Sequence, residues 1–231
     1  MVGHLFATIL IFLPLVYATE KLDKTVNQDL VSRLKLAATV YDRHQILAKD
    51  EDWIYDFNSA QPTDSYKPGS VKNANAATFP AMVGHGMTVA QLNLGPCAML
   101  PVHYHPRATN MVIAITGNTT TWMVNENGVR TVSTTLTPGK MTIFPLGSIH
   151  CMQNNGCDDA YLISALNSED TGTMNIAGGL WSIRDDMIRA AFGNPAMDVQ
   201  TTGKNIPEVG TGSTYGSDEC MKRCGMSKGK T

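Results

Sequence analysis

Residues 101–106 read Pro-Val-His-Tyr-His-Pro, and residues 139–154 read Gly-Lys-Met-Thr-Ile-Phe-Pro-Leu-Gly-Ser-Ile-His-Cys-Met-Gln-Asn. Side chains alternate between faces along a strand, so His103 and His105 project from the same face of any strand that carries them. In the second stretch a turn at Pro145-Leu146-Gly147 feeds a strand that opens at His150, which supplies a third imidazole. Neutral imidazole is a common ligand of divalent transition metals, so two on one face make half of a metal site and a third completes it. Of the six histidines, His4 falls in an apolar leader, and three of the other five sit in these two stretches. His44 and His85 lie outside them and read as structural or surface residues.

Outward from the histidines the texture is that of short strands. Met87–Leu94, Ala98–His105, Asn110–Thr116, Thr119–Val124, Val129–Leu136, Lys140–Phe144, Ile149–Gln153 and Ala160–Leu166 are short segments divided by Gly, Pro or Asn turns, the pattern of a β-sandwich or barrel. With 20 glycines and 11 prolines, the chain reads as all-β with no internal repeat. Val26, Leu30, Leu34, Ala37 and Val40 recur at helical spacing, which predicts an N-terminal helix over 25–37. Asp50–Lys67 is turn-rich, with a turn signal at Gln61-Pro62-Thr63-Asp64. Ser182–Ala191 reads as a helix, Val199–Gly216 as an extended tail, and a last short helix starts at Ser217 and closes at Gly225. Met99, Met111, Met123, Met141 and Met152 read as barrel packing.

Residues 1–18 read as a secretory signal, since Leu5–Tyr17 is apolar and Val16-Tyr17-Ala18 offers a small-x-small cleavage site; a membrane anchor is the competing reading. Three segments follow: a helix and extended arm over 19–78, a barrel core over 79–168, and a helical extension and tail over 169–231. With 18 Lys and Arg against 20 Asp and Glu, the net charge of −2 leaves no basic field for nucleic acid. No other stretch approaches the length of a membrane span, so no membrane contact is expected after signal removal. Secretion makes Cys97, Cys151, Cys157, Cys220 and Cys224 disulfide candidates. Two bridges among five cysteines can be drawn in fifteen ways, and Cys97 with Cys157 is preferred because each flanks a histidine segment. Cys220 and Cys224 are close enough to bridge each other, with awkward geometry, and Cys151 is left as the odd thiol, read as a small buried hydrophobe. Asn118-Thr119-Thr120 is the one glycosylation sequon, so a glycoprotein is expected.

His103-x-His105, Asn110 five residues on, and Gly117 resemble the first motif of the cupins. Gly139, Pro145, Gly147, His150 and Asn154 match the spacing of the second motif throughout. The run His103-Tyr-His-Pro-Arg-Ala-Thr109 is similar to the germin-like branch and to secreted, spherulin-like single-cupin proteins, and the resemblance covers roughly 25–226. It implies a single jelly-roll barrel with flanking N- and C-terminal helices and a divalent metal inside. By position the ligands are His103, His105 and His150, with Asn110 where the family places a glutamate. A second departure is Cys97-Ala98-Met99, which lacks the motif glycine and is expected to alter the strand or accommodate a bridge.

Manganese is the metal the resemblance implies. Asn110 removes the negative charge and hard oxygen that suit it, and three imidazoles alone favour zinc, copper or nickel at equal availability. Two functions of different class follow. One is a secreted, extracellular metal-binding protein of a wall, spore coat or matrix. The other is a manganese-dependent oxidoreductase of germin type, an oxalate oxidase or superoxide dismutase, against which Asn110 argues. No hydrolase constellation stands out. A small carboxylate ligand is a candidate for the pocket, with Arg107 either drawing an anion or pairing with a nearby carbonyl or acid. The outward row Met111, Ile113 and Ile115 needs cover from a second sheet, the terminal helices or another subunit, and a homo-oligomer is expected.

Overall fold

The computed structural model describes residues 22–60 and 66–227. The leader at 1–18 and the turn at 61–64 lie outside them. In chain order the elements are α1 (Gln28–Leu36), α2 (Val40–Ile46), β1 (Gly69–Ala74), β2 (Thr88–Leu94), β3 (Ala98–Tyr104), β4 (Asn110–Ala114), β5 (Thr119–Val124) and β6 (Val132–Leu136). There follow β7 (Met141–Phe144), β8 (Ile149–Asn154), β9 (Ala160–Leu166), β10 (Met174–Asn175), α3 (Ile176–Trp181), α4 (Asp185–Ala191), α5 (Val199–Gly203), β11 (Thr214–Tyr215) and α6 (Asp218–Arg223). Short 3-10 turns at Asp50–Trp53 and Pro80–Met82 complete the set. Among the described residues no helix is long and apolar enough to cross a membrane.

The strands form two antiparallel sheets, β1-β2-β9-β4-β7 and β10-β3-β8-β5-β6, with β11 also paired to β3. Their inner faces close on a core of Leu92, Leu94, Leu100, Val112, Ala114, Phe144, Met152 and Leu162. Alternation explains the layering: in β9 Ala160, Leu162, Ser164 and Leu166 are buried and the residues between them are not. All eight predicted segments are present as strands, five of them trimmed at one end. Three strands were not legible, β1 and the two-residue β10 and β11. Gly69–Ala74 pairs with β2 along its whole length, so the sheet begins within 19–78, the stretch read as an arm.

The expected helix over 25–37 forms as α1, with Asn27 capping Leu30 N–H at 3.0 Å, and stops at Ala37 because Thr39 caps a second helix through Asp42 N–H. The face it buries matches the expected one at Leu34 and Leu30 and departs from it at its ends. Val31 and Leu34 pack with Leu47, Ala81 and Val83, whereas Val26 and Val40 are exposed. At the other end, α4 occupies part of Ser182–Ala191, and α3, for which no helix was expected, precedes it over Ile176–Trp181. The tail expected over Val199–Gly216 contains α5, capped by Asp198, as well as β11. Ser217 caps α6 as expected.

Two packing expectations are corrected. Met123 and Met152 are buried, but Met111 and Met141 lie on the outer face of the β4–β7 ladder and are exposed. The cysteines pair as Cys97–Cys220 and Cys157–Cys224, so Cys97 does not bridge Cys157 and the other two do not bridge each other. The reason is topological. Helix α6 packs across the turns after β2 and β8, so each turn cysteine meets a helix cysteine rather than its neighbouring turn. Cys151 is free and half-buried. Cys97 adopts a left-handed conformation, φ 55°, where glycine is the residue without steric cost, and carries a bridge there.

Candidate metal centre

The centre is assembled by register. Leu100 of β3 pairs with Met152 of β8, yet His103 pairs with His150, which requires one extra residue in β3 between them. This bulge, at Pro101-Val102, leaves Val102 exposed and turns His103 inward three residues after inward-facing Leu100. His105 follows two residues later, as the strand period demands. On the other side the turn Pro145–Ser148 closes with Ser148 N–H on Pro145 C=O at 3.0 Å and Gly147 at φ 78°, and delivers His150 into β8. Phe144, on the strand before that turn, stacks on the His150 ring with centroids 4.1 Å apart.

One ring nitrogen from each of His103, His105 and His150 lies within 4.8 Å of the other two. The opposite nitrogens are all engaged by backbone: His103 Nδ1 with Pro101 C=O at 2.7 Å, His105 Nδ1 with Gly172 C=O at 2.7 Å, and His150 Nδ1 with Ser148 C=O at 2.9 Å. A carbonyl only accepts, so each Nδ1 carries the proton and each Nε2 presents a lone pair. His150 Nε2 is buried and has no hydrogen-bond partner. Burial pushes all three imidazoles toward the neutral form: His103 well below the usual range, with His150 and His105 adding repulsion, His105 lowered, and His150 to about 4. Neutral, pre-aimed and desolvated nitrogens are what a metal requires of its ligands.

Asn110 enters from the opposite sheet, where β4 lies between β7 and β9. Its Oδ1 accepts from the Ser164 hydroxyl, and its Nδ2 stands 3.5 Å from His105 Nε2. Sequence reasoning missed Ser164, although a serine in the apolar inward row of β9 was a readable signal. Among the described residues no Asp or Glu joins the three histidines, so no carboxylate from another segment replaces the family's glutamate.

A cavity of about 40 Å³ adjoins His103, His105 and Asn110, with Leu92, Leu100 and Met152 on its apolar side and Asn73, Thr173 and Asn175 on its polar side. Its lining contains no Arg or Lys. Arg107 is instead exposed, bound to Asp170 through its backbone carbonyl at 2.8 Å and its carboxylate at 2.7 Å. Of the two readings of Arg107, pairing with a carbonyl and an acid is the one observed. Asn154, the last residue of the second motif, stands apart from the imidazoles. Fully buried, it donates to Leu94, Gly95 and Asp158 carbonyls and accepts from Gly156 N–H, tying the β2–β3 turn to the β8–β9 turn.

Two facing antiparallel sheets with three imidazoles converging from inside one of them make a jelly-roll architecture, and the cupin family profile matches residues 55–196. The chain belongs to the cupin family. Within it the chain is germin- and spherulin-like. Spherulin-1A of Physarum polycephalum is 29% identical over 203 residues, covering 87% of this chain and 81% of that protein. Germin-like protein subfamily 1 member 14 of Arabidopsis thaliana is 29% identical over 168 residues, covering 68% and 76%. A solved oxalate oxidase shares the fold with a TM-score of 0.62 at 22% identity, over 68% of this chain and 82% of that one.

Proposed function

We propose that this cupin is a secreted, extracellular protein that holds one divalent metal on His103, His105 and His150 and serves in a wall, spore coat or matrix. The observation that carries the metal is the set of three converging Nε2 lone pairs, fixed by three backbone carbonyls, of which the one on His150 is buried and without a hydrogen-bond partner. The donor set fits a divalent ion of borderline softness. Asn110 adds a neutral amide, and Ser164 can satisfy either end of it because a hydroxyl both donates and accepts. Such a neutral set ranks copper, nickel and zinc above manganese. A bound ion would supply Lewis acidity or, for a redox metal, electron transfer; the chain's own residues orient the imidazoles and exclude water from their far side.

The two disulfides support secretion, since such bonds persist in oxidising compartments. Asn118 is exposed and accessible to a glycan. Met111, Ile115, Met141 and Ile143 expose an apolar band on the β4–β7 face, which supports a homo-oligomer. The second reading, a manganese-dependent oxidoreductase on a small carboxylate or superoxide, draws on the cavity beside the imidazoles. Asn110 and the absence of a cationic side chain in that cavity's lining weigh against it.

Metal content per chain, measured on mature protein purified without a histidine tag, tests the reading. Near-stoichiometric zinc, copper or nickel is expected. Less than about a tenth of an atom per chain of every metal would overturn it, and stoichiometric manganese with oxalate or superoxide turnover would favour the second reading.

A further inference from the structure

The two disulfides are neighbours as well as clamps. Cys97 Sγ lies 3.6 Å from Cys224 Sγ, across the gap between the Cys97–Cys220 and Cys157–Cys224 bonds. Their exposures differ sharply. Cys157 is exposed and Cys224 half-buried, whereas Cys97 and Cys220 are 0% and 1% exposed. An external thiol therefore reaches the outer bond at Cys157 and has no path to the inner one. Attack at Cys157 expels Cys224 as a thiolate, and that thiolate stands beside Cys97.

We propose that the pair is a thiol–disulfide relay in which reduction at Cys157 is passed inward, so that the first reduced form carries a new Cys97–Cys224 bond and a free Cys220. The steps balance for a dithiol reductant. One thiolate attacks Cys157 Sγ, forming a mixed disulfide as the Cys157–Cys224 bond breaks. Cys224 Sγ attacks Cys97 Sγ, the Cys97–Cys220 bond breaks, and Cys220 leaves as a thiolate. The second thiol of the reductant then attacks the mixed disulfide, freeing Cys157 and leaving the reductant as a cyclic disulfide. Two electrons pass from the dithiol to the protein, and protons from the dithiol end on Cys157 and Cys220.

The surroundings of Cys220 favour its departure. Arg223 Nη2 lies 3.4 Å from Cys220 Sγ, while also donating to Asn155 C=O at 2.6 Å, which places a cation against the sulfur that must accept negative charge. Once protonated, the thiol faces the carbonyls of Asn154 and Asn155 at 3.7 and 3.8 Å as acceptors. Helix α6 stays bonded to the β2–β3 turn throughout, so the relay keeps the C-terminal strap attached. That strap includes Gly210 and Gly212 on the wall of the cavity beside His103.

The experiment uses full-length oxidised protein with Cys151→Ser to remove the unrelated thiol, a single equivalent of dithiothreitol, rapid trapping with N-ethylmaleimide and mapping of bridged peptides. Label on Cys157 and Cys220, with Cys97 cross-linked to Cys224, is expected. Label on Cys157 and Cys224 with Cys97–Cys220 intact would overturn the relay, as would complete reduction with no trappable intermediate. Cys157→Ser offers a second readout without reductant: Cys224 is then a free thiol, and a mixture of Cys97–Cys220 and Cys97–Cys224 forms is expected, whereas Cys97–Cys220 alone would contradict the exchange. Arg223→Ala should leave opening of the outer bond unchanged and lower the rearranged share about threefold; an unchanged share would remove Arg223 from the relay.

Discussion

Strands β3 and β8 run antiparallel, and the two ends of their ladder are held by different chemistry. At one end His103 pairs with His150 and three neutral imidazoles face one another, an arrangement that costs desolvation until something accepts their lone pairs. At the other end, beyond the Met99–Gln153 pair, the turns at Cys97 and Cys157 are bonded covalently to α6, and Asn154 satisfies four backbone groups between them. The contrast separates covalent anchoring from unpaired polar groups along one pair of strands. The sulfur end ties α6 to the turns of the barrel, while the imidazole end keeps a buried nitrogen without a hydrogen-bond partner.

The sharpest way to break that division is to remove the sulfur end. Replacing both Cys97 and Cys220 by serine opens a loop of 123 residues and should cost about 3–5 kcal/mol in guanidinium unfolding, with metal stoichiometry kept while the chain remains folded. The reciprocal change, His150→Ala, should lower zinc affinity at least about 100-fold, or roughly 3 kcal/mol, by competition titration. The metal-free fold should keep its circular dichroism, because the change removes an unpartnered buried nitrogen.

Protons give a third lever on the imidazole end. His150 titrates near 4 in the folded chain and near 6.5 when exposed, so unfolding takes up a proton between those values. Stability from this residue is present above about pH 6.5 and is lost as pH falls through about 4, a drop of roughly 3 kcal/mol at most. His103 shifts in the same direction and should add to it. Denaturant unfolding of metal-free protein at pH 7, 5.5 and 4 should show the fall, and His150→Ala should flatten it. A smaller effect separates the family's glutamate from this chain's amide: Asn110→Glu should raise manganese affinity about tenfold, read by metal competition, and leave zinc binding within that factor.

The same division governs how much was legible in the sequence. The imidazole end is encoded locally: two histidines one strand period apart, and a third placed by a Pro-x-Gly turn, are patterns that need no knowledge of the rest of the chain. What period-two reading misses is the bulge, since one inserted residue at Pro101-Val102 decides that His103, rather than Val102, meets His150. The sulfur end is encoded at long range. Cys97 and Cys220 are separated by 123 residues, and only the docking of α6 brings them together, so proximity in sequence to a histidine segment was a poor guide. Strand β1 was hidden for a related reason. Ser70, Lys72 and Ala74 are its buried residues, and the lysine gains its burial by donating to Phe57 C=O, a contact that composition does not foreshadow.

X-ray absorption at the metal edge of zinc-loaded, untagged protein reads whether His103, His105 and His150 hold the ion. Three imidazole nitrogens at about 2.0–2.1 Å, reduced to two in His150→Ala, are expected. A zinc environment with fewer than three imidazoles in the unsubstituted protein, or one unchanged by His150→Ala, would contradict that ligand set.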